Sequence, residues 1–66
     1  MELLKYFTYD HLPDHLQALS RPFHDLAEQL ATILPDGSER TVAIRKLLEA
    51  KDAAVRSYAV DGKDAD

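Results

Sequence analysis

Between residues 13 and 34 the apolar side chains Leu16, Leu19, Phe23, Leu26, Ala27, Leu30, Ile33 and Leu34 recur at spacings of three and four. Residues spaced this way fall on one stripe of a helix, so the pattern predicts a first helix over 13–34. Pro13 suits its first position, where a missing N–H would be unpaired anyway. Pro22 lies inside the stripe. A mid-helix proline removes a backbone bond and crowds the preceding turn, at about 3 kcal/mol. The helix is therefore expected to kink or break near Pro22, with Ser20 available to cap a restarted segment.

Residues 35–38, the core of Leu34-Pro35-Asp36-Gly37-Ser38, predict a turn in which glycine supplies a left-handed conformation. Asp36 or Ser38 can cap the next helix, and Glu39 is favourably placed for its dipole. That last helix is expected over 39–59, with a stripe of Ile44, Leu47, Leu48, Ala54, Val55 and Tyr58 and with Ala43 and Ala50 alongside. Its outer face carries Arg45, Lys46, Glu49, Lys51, Asp52 and Arg56, where Asp52 and Arg56 form an i,i+4 pair of favourable sign. Residues 1–12 have no clear period and read as an arm or short helical turn. Residues 60–66 read as a polar, frayed tail.

Two helices of about 20 residues joined by a turn of about four pack antiparallel. The expected fold is thus all-α, an antiparallel helical hairpin with a short N-terminal helical arm. Sixty-six residues make one domain. A chain this short buries only about 60% of its unfolded surface. With no cysteine, neither disulfides nor thiolate zinc sites can compensate. Self-association remains, and 45% hydrophobic content suits it. A homo-oligomer is expected.

The opening Met-Glu-Leu-Leu-Lys-Tyr-Phe is unlike a secretory signal, having an acidic residue where a basic region belongs. No stretch approaches the roughly 18 apolar residues of a membrane span. The chain reads as cytoplasmic and without a membrane partner. Its net charge is −4, and its eight basic residues are scattered. Polymeric nucleic acid prefers a basic face with many phosphate contacts, so DNA and RNA are disfavoured. A few arginines can still hold a small ligand with two or three phosphates.

No arrangement of nucleophile, base and oxyanion donors stands out, and two glycines make no phosphate loop. A hairpin also offers no cleft in which one carboxylate pKa could be driven from another. The chain does not read as an enzyme, and no cofactor is implied. His11 and His15 are four apart, but Pro13 places the helix start after His11, and no third ligand is obvious; capping or exposed histidines are the preferred reading over a metal site. Tyr6, Phe7 and Tyr9 beside Lys5 can stack on nucleobases, though anchors of one protomer on another are the preferred reading of the residues alone. At the turn, Gly37, Ser38 and Arg40 set helix N–H groups and a guanidinium near one space. From the residues alone, a plain capped turn with a solvated arginine is the preferred reading there.

Two stretches carry a resemblance. Residues 9–27, Tyr-Asp-His-Leu-Pro-Asp-His-Leu-Gln-Ala-Leu-Ser-Arg-Pro-Phe-His-Asp-Leu-Ala, resemble the HLPxHLQ…SxPFxxLA opening of short phage proteins. Residues 34–56, from Leu-Pro-Asp-Gly-Ser-Glu-Arg through Ala-Ile-Arg-Lys-Leu-Leu-Glu-Ala-Lys to Val-Arg, resemble their LP…ER…AxxKLxEAKxxxV second half. The group is the phage anti-CBASS cyclic-nucleotide sponges, whose hairpin is shared with anti-Thoeris sponges. The resemblance implies a non-catalytic homohexamer in the host bacterial cytoplasm. It would sequester cyclic oligonucleotide messengers, with cyclic dinucleotides between paired protomers and cyclic trinucleotides where three protomers meet. It further implies that Tyr6 or Tyr9 stacks on a base, and that Arg21, with Lys5 as substitute, meets phosphates. Gly37, Ser38, Arg40 and Arg45 would serve the trinucleotide pocket. The competing expectation is a structural or protein-binding hairpin, antitoxin- or adaptor-like, that grips a protein with the same stripes.

Overall fold

The computed structural model describes residues 1–60 and is helical throughout its regular elements. A short 3-10 helix, Glu2–Phe7, leads into α1, Asp14–Ile33, and α2, Ser38–Val60. α1 and α2 form an antiparallel hairpin. His15 near the start of α1 meets Tyr58 near the end of α2, and Arg40 at the start of α2 reaches Ala31 near the end of α1. Val60, expected in the tail, is still helical, and the rest of the expected tail, 61–66, lies outside the described residues.

Each boundary has a local cause. Pro13 stands just before α1 rather than at its first position, with φ −57° and ψ 156°. Its carbonyl accepts the N–H groups of Leu16 and Gln17, both at 2.9 Å. The Gln17 side chain donates back to the Leu12 carbonyl at 2.7 Å, tying the preceding loop to the first turn. At the other end Leu34 is extended, φ −83° and ψ 142°, as expected of a residue that precedes proline.

Three expectations are corrected. First, of the kink or break expected near Pro22, the break is absent: α1 is continuous through the proline. Pro22 and Ala18, whose carbonyl loses its usual donor, are both exposed, so water can satisfy the orphaned acceptor. Ser20 consequently caps nothing; it is fully buried inside the helix with its hydroxyl unpartnered. Second, Gly37 has the positive φ that favours glycine, but at 159° it lies far from the left-handed helical value of about +57°. Its carbonyl accepts Thr41 N–H at 3.3 Å and starts α2, while the Asp36 carboxylate turns to Arg40 instead of capping. Third, Lys51 does not sit on the solvated face of α2. It is half-buried, its ammonium donates to the Tyr6 carbonyl, and it lies 5.9 Å from the centre of the Phe7 ring. The Asp52–Arg56 pair is absent from the ion pairs among the described residues, which join Glu2 to Lys5, His24 to Asp25 and Glu28, and Asp36 to Arg40.

The core is small. Among the described residues only Phe7, Ala27 and Ile44 are fully buried hydrophobics, with Leu3, Leu4, Phe23, Leu30, Ala31, Leu47 and Leu48 packed partly around them. Ala27, buried in one cluster with Phe7 and Ile44, is small enough to let α2 and the arm approach α1 closely. The arm therefore completes the core, which the two helices alone do not close.

Candidate functional site

The ligand candidates singled out in the sequence gather in two places and leave Lys5, Tyr6 and Arg45 apart. The first place is the turn. A shallow depression of about 490 Å³ is lined by Leu34–Arg40 and Ala43, so Gly37, Ser38 and Arg40 do share a surface. A side chain built at Gly37 would meet nothing within 4 Å, which leaves the approach to the start of α2 open. The N–H groups of the first turn have no acceptor inside the helix, as at any helix N-terminus.

Arg40 is committed within its own chain. Its Nη1 donates to the Ala31 carbonyl at 3.1 Å and its Nη2 to Asp36 Oδ1 at 2.9 Å, while Nε is buried without a partner. The guanidinium thus bolts the end of α1 to the start of α2. Asp36 and Glu39 also line the depression, so within one chain two carboxylates accompany one guanidinium. An anionic ligand there needs further cations. Arg45 does not supply them: it is exposed farther along α2 and is not among the lining residues.

The second place lies beside the start of α1. Tyr9 and Arg21, with Asp14, Gln17 and Ala18, line an open depression of about 270 Å³. Tyr9 is held edge-on against His24, with ring centres 5.1 Å apart and planes at 72°. His24 is in turn fixed between Asp25, at 3.1 Å from Nδ1, and Glu28, at 3.3 Å from Nε2. The Tyr9 ring is therefore oriented by a neighbour rather than left to rotate. Arg21 is exposed and makes no hydrogen bond or ion pair among the described residues, so its guanidinium keeps its donors. One arginine faces one carboxylate, Asp14, which makes this the less acidic of the two sites.

Tyr6 and Lys5 form a separate surface pair. The Lys5 ammonium stands 5.3 Å from the Tyr6 ring centre and 3.4 Å from Glu2, and neither residue lines the depression that holds Tyr9. His11 and His15 also part company. His11 lines a third shallow depression with Leu12, Lys51, Asp52, Val55 and Arg56, whereas His15 packs on Tyr58 at 5.5 Å. Among the described residues no group of three His, Cys, Asp or Glu side chains converges as a metal set would. Among the described residues no helix is long and apolar enough to cross a membrane.

Two contributors were missed in the sequence. Lys51 was legible, because it falls seven residues after Ile44 and therefore on the core stripe. The role of His24 as the backstop of Tyr9 was not, since it depends on how the irregular 8–13 segment folds back along α1. Comparison with family models, curated proteins and solved structures gives no match to this chain.

Proposed function

We propose that this protein is a phage sponge that binds and holds cyclic oligonucleotide messengers without cleaving them, so that CBASS-type immune effectors in the host cytoplasm stay unswitched. The observation that carries the reading is the pairing of Tyr9 with Arg21 in one depression. A fixed aromatic ring beside a guanidinium with free donors suits a base and its phosphate, and the sponge resemblance gives the base to Tyr6 or Tyr9 and the phosphates to Arg21, with Lys5 as substitute. The turn is the second site in this reading. Because Arg40 is balanced by Asp36 and Glu39 within one chain, a trinucleotide would need turns from several copies to converge. The assembly is therefore part of the proposal, and a homohexamer is the form the resemblance implies.

The deciding experiment is isothermal titration with a cyclic dinucleotide and a cyclic trinucleotide, followed by mass spectrometry of the recovered ligand. Heat of binding, fewer ligands than chains and intact nucleotide are the expected results. A well-folded protein that gives no heat with either ligand overturns the reading. The protein-binding hairpin would then take its place, favoured by Leu26 and Ile33, which stand 41% and 63% exposed on α1.

A further inference from the structure

The hairpin has two unlike sides. Relative to the buried stripe, Gln17 and His24 of α1 and Asp52 and Arg56 of α2 lie on one side, where the Tyr9–Leu12 segment runs against them. None of the described residues covers the other side. On α1 it carries Leu19, Leu26 and Ile33, seven residues apart, of which Leu26 and Ile33 are among the most exposed large apolar side chains of the molecule. On α2 it carries Ala43, Ala50 and Ser57, also seven apart and all small. Both rows are displaced in the same rotational sense from their helix's buried stripe, and in an antiparallel pair that sets them on the same side of the hairpin.

We infer that this side is the contact between copies of the chain, with the large row of α1 from one copy seated on the small row of α2 from the other. The inference rests on the reading that the chain self-associates, and it names the surface. The two rows fit in period and in size. Seven residues are two helical turns, about 10.5 Å, so large side chains on one row meet small ones on the other at every repeat, the arrangement that knobs-into-holes packing requires. They also fit in level. Ala31 is level with Arg40, and His15 with Tyr58. A two-fold axis parallel to the helices preserves these levels and lays α1 of one copy antiparallel on α2 of the other. Leu26 then falls between Ala43 and Ala50, beside Leu47, and Leu19 falls between Ala50 and Ser57. Such a contact is self-complementary, as a two-fold interface must be. It also makes one four-helix layer from two hairpins that each bury only three hydrophobic side chains fully among the described residues.

Sedimentation of the full chain tests this, with circular dichroism as the folding check. The wild type is expected to sediment well above its 7.4 kDa chain mass. The double variant Leu26→Asp/Ile33→Asp changes two exposed positions and is expected to keep its helicity but sediment as a smaller species. Ala50→Arg, exposed in the single chain, is an independent probe that fills the small row without disturbing the core. Glu49→Lys, on the other side of α2, is expected to leave the assembly unchanged. An assembled wild type whose folded Leu26→Asp/Ile33→Asp and Ala50→Arg variants keep their mass, or whose Glu49→Lys variant loses it, overturns the surface while self-association stands. A folded wild type that sediments as one chain overturns both, and leaves the nucleotide titration to judge the ligand reading separately.

Discussion

At the residue scale, Arg40 holds the most consequential position, because a side chain picked out for a ligand also secures the turn. Its two structural bonds go to a backbone carbonyl and a carboxylate, and Nε adds a buried donor without an acceptor. Hydrogen bonds involving a charged group contribute about 1.5–3 kcal/mol when buried, less for the exposed Asp36 arm. Arg40→Ala is therefore expected to lower the melting temperature by several degrees, by the rule of about 4–8 °C per kcal/mol in domains this small. Arg40→Lys should do nearly as much, since an ammonium cannot reproduce the fork that spans Ala31 and Asp36. In the sponge reading Arg40→Ala also abolishes trinucleotide binding with the assembly intact. A variant that binds the trinucleotide as tightly as wild type would remove Arg40 from the ligand and leave it only the turn.

Tyr9 and Arg21 offer the complementary case, since neither is needed to close the core. Tyr9→Leu keeps apolar bulk against His24 but removes the stacking face, and base stacking on an aromatic contributes about 1–3 kcal/mol. Dinucleotide affinity should fall tenfold or more in Tyr9→Leu and in Arg21→Ala, measured by titration, with helicity unchanged. Equal affinity in both variants would place the dinucleotide elsewhere. Ser20 is different again. Its hydroxyl is fully buried and unpartnered, and an unsatisfied buried polar group costs about 1–3 kcal/mol. Ser20→Ala, smaller by one atom and a better helix former, is expected to raise the thermal midpoint; a fall would mean that the hydroxyl has a partner in solution.

At the scale of elements, Pro22 shows where pattern reasoning met its limit. The stripe from Leu16 to Leu34 located α1 to within a residue at each end, because apolar period and flanking prolines are local signals. Whether an internal proline breaks a helix depends on what surrounds it. Here Pro22 and Ala18 face water, and the packing of Ser20, Phe23 and Ala27 holds the backbone helical across the gap. Pro22→Ala restores one hydrogen bond at an exposed site and is expected to stabilise α1, by up to about 3 kcal/mol on helix propensity alone. An unchanged or lower midpoint by differential scanning calorimetry would mean that the proline sets a bend the hairpin requires. The arm was harder to foresee. Phe7 could be read as aromatic, but its burial against Ala27 and Ile44 is a contact between distant parts of the chain, and no local period encodes it. The same holds for the site: Tyr9 and Arg21 were each legible, whereas their meeting in one depression depends on how the 8–13 segment folds back along α1.

At the scale of the whole molecule, the decisive quantity is how little the single chain buries. Phe7, Ala27 and Ile44 are its only fully buried hydrophobics among the described residues, while Leu26 and Ile33 stand in water. Ordering a residue costs about 1–2 kcal/mol of backbone entropy, and so small a core offsets that poorly. Leu26 and Ile33, two of the six exposed large hydrophobics among the described residues, lie on the side where the Leu26 row and the Ala50 row run together. If copies supply the missing burial, folding and association become one equilibrium, and the folded state is stabilised by mass action. The thermal midpoint should then rise with protein concentration, by several degrees over a hundredfold dilution series, and the dependence should vanish in Leu26→Asp/Ile33→Asp. Cyclic nucleotide, binding only the assembled form, should raise the midpoint further and flatten its concentration dependence. A midpoint independent of concentration in a protein that stays folded when dilute would mean that the three-residue core and its half-buried shell suffice alone. The exposed apolar row would then have to be explained by a partner other than a second copy.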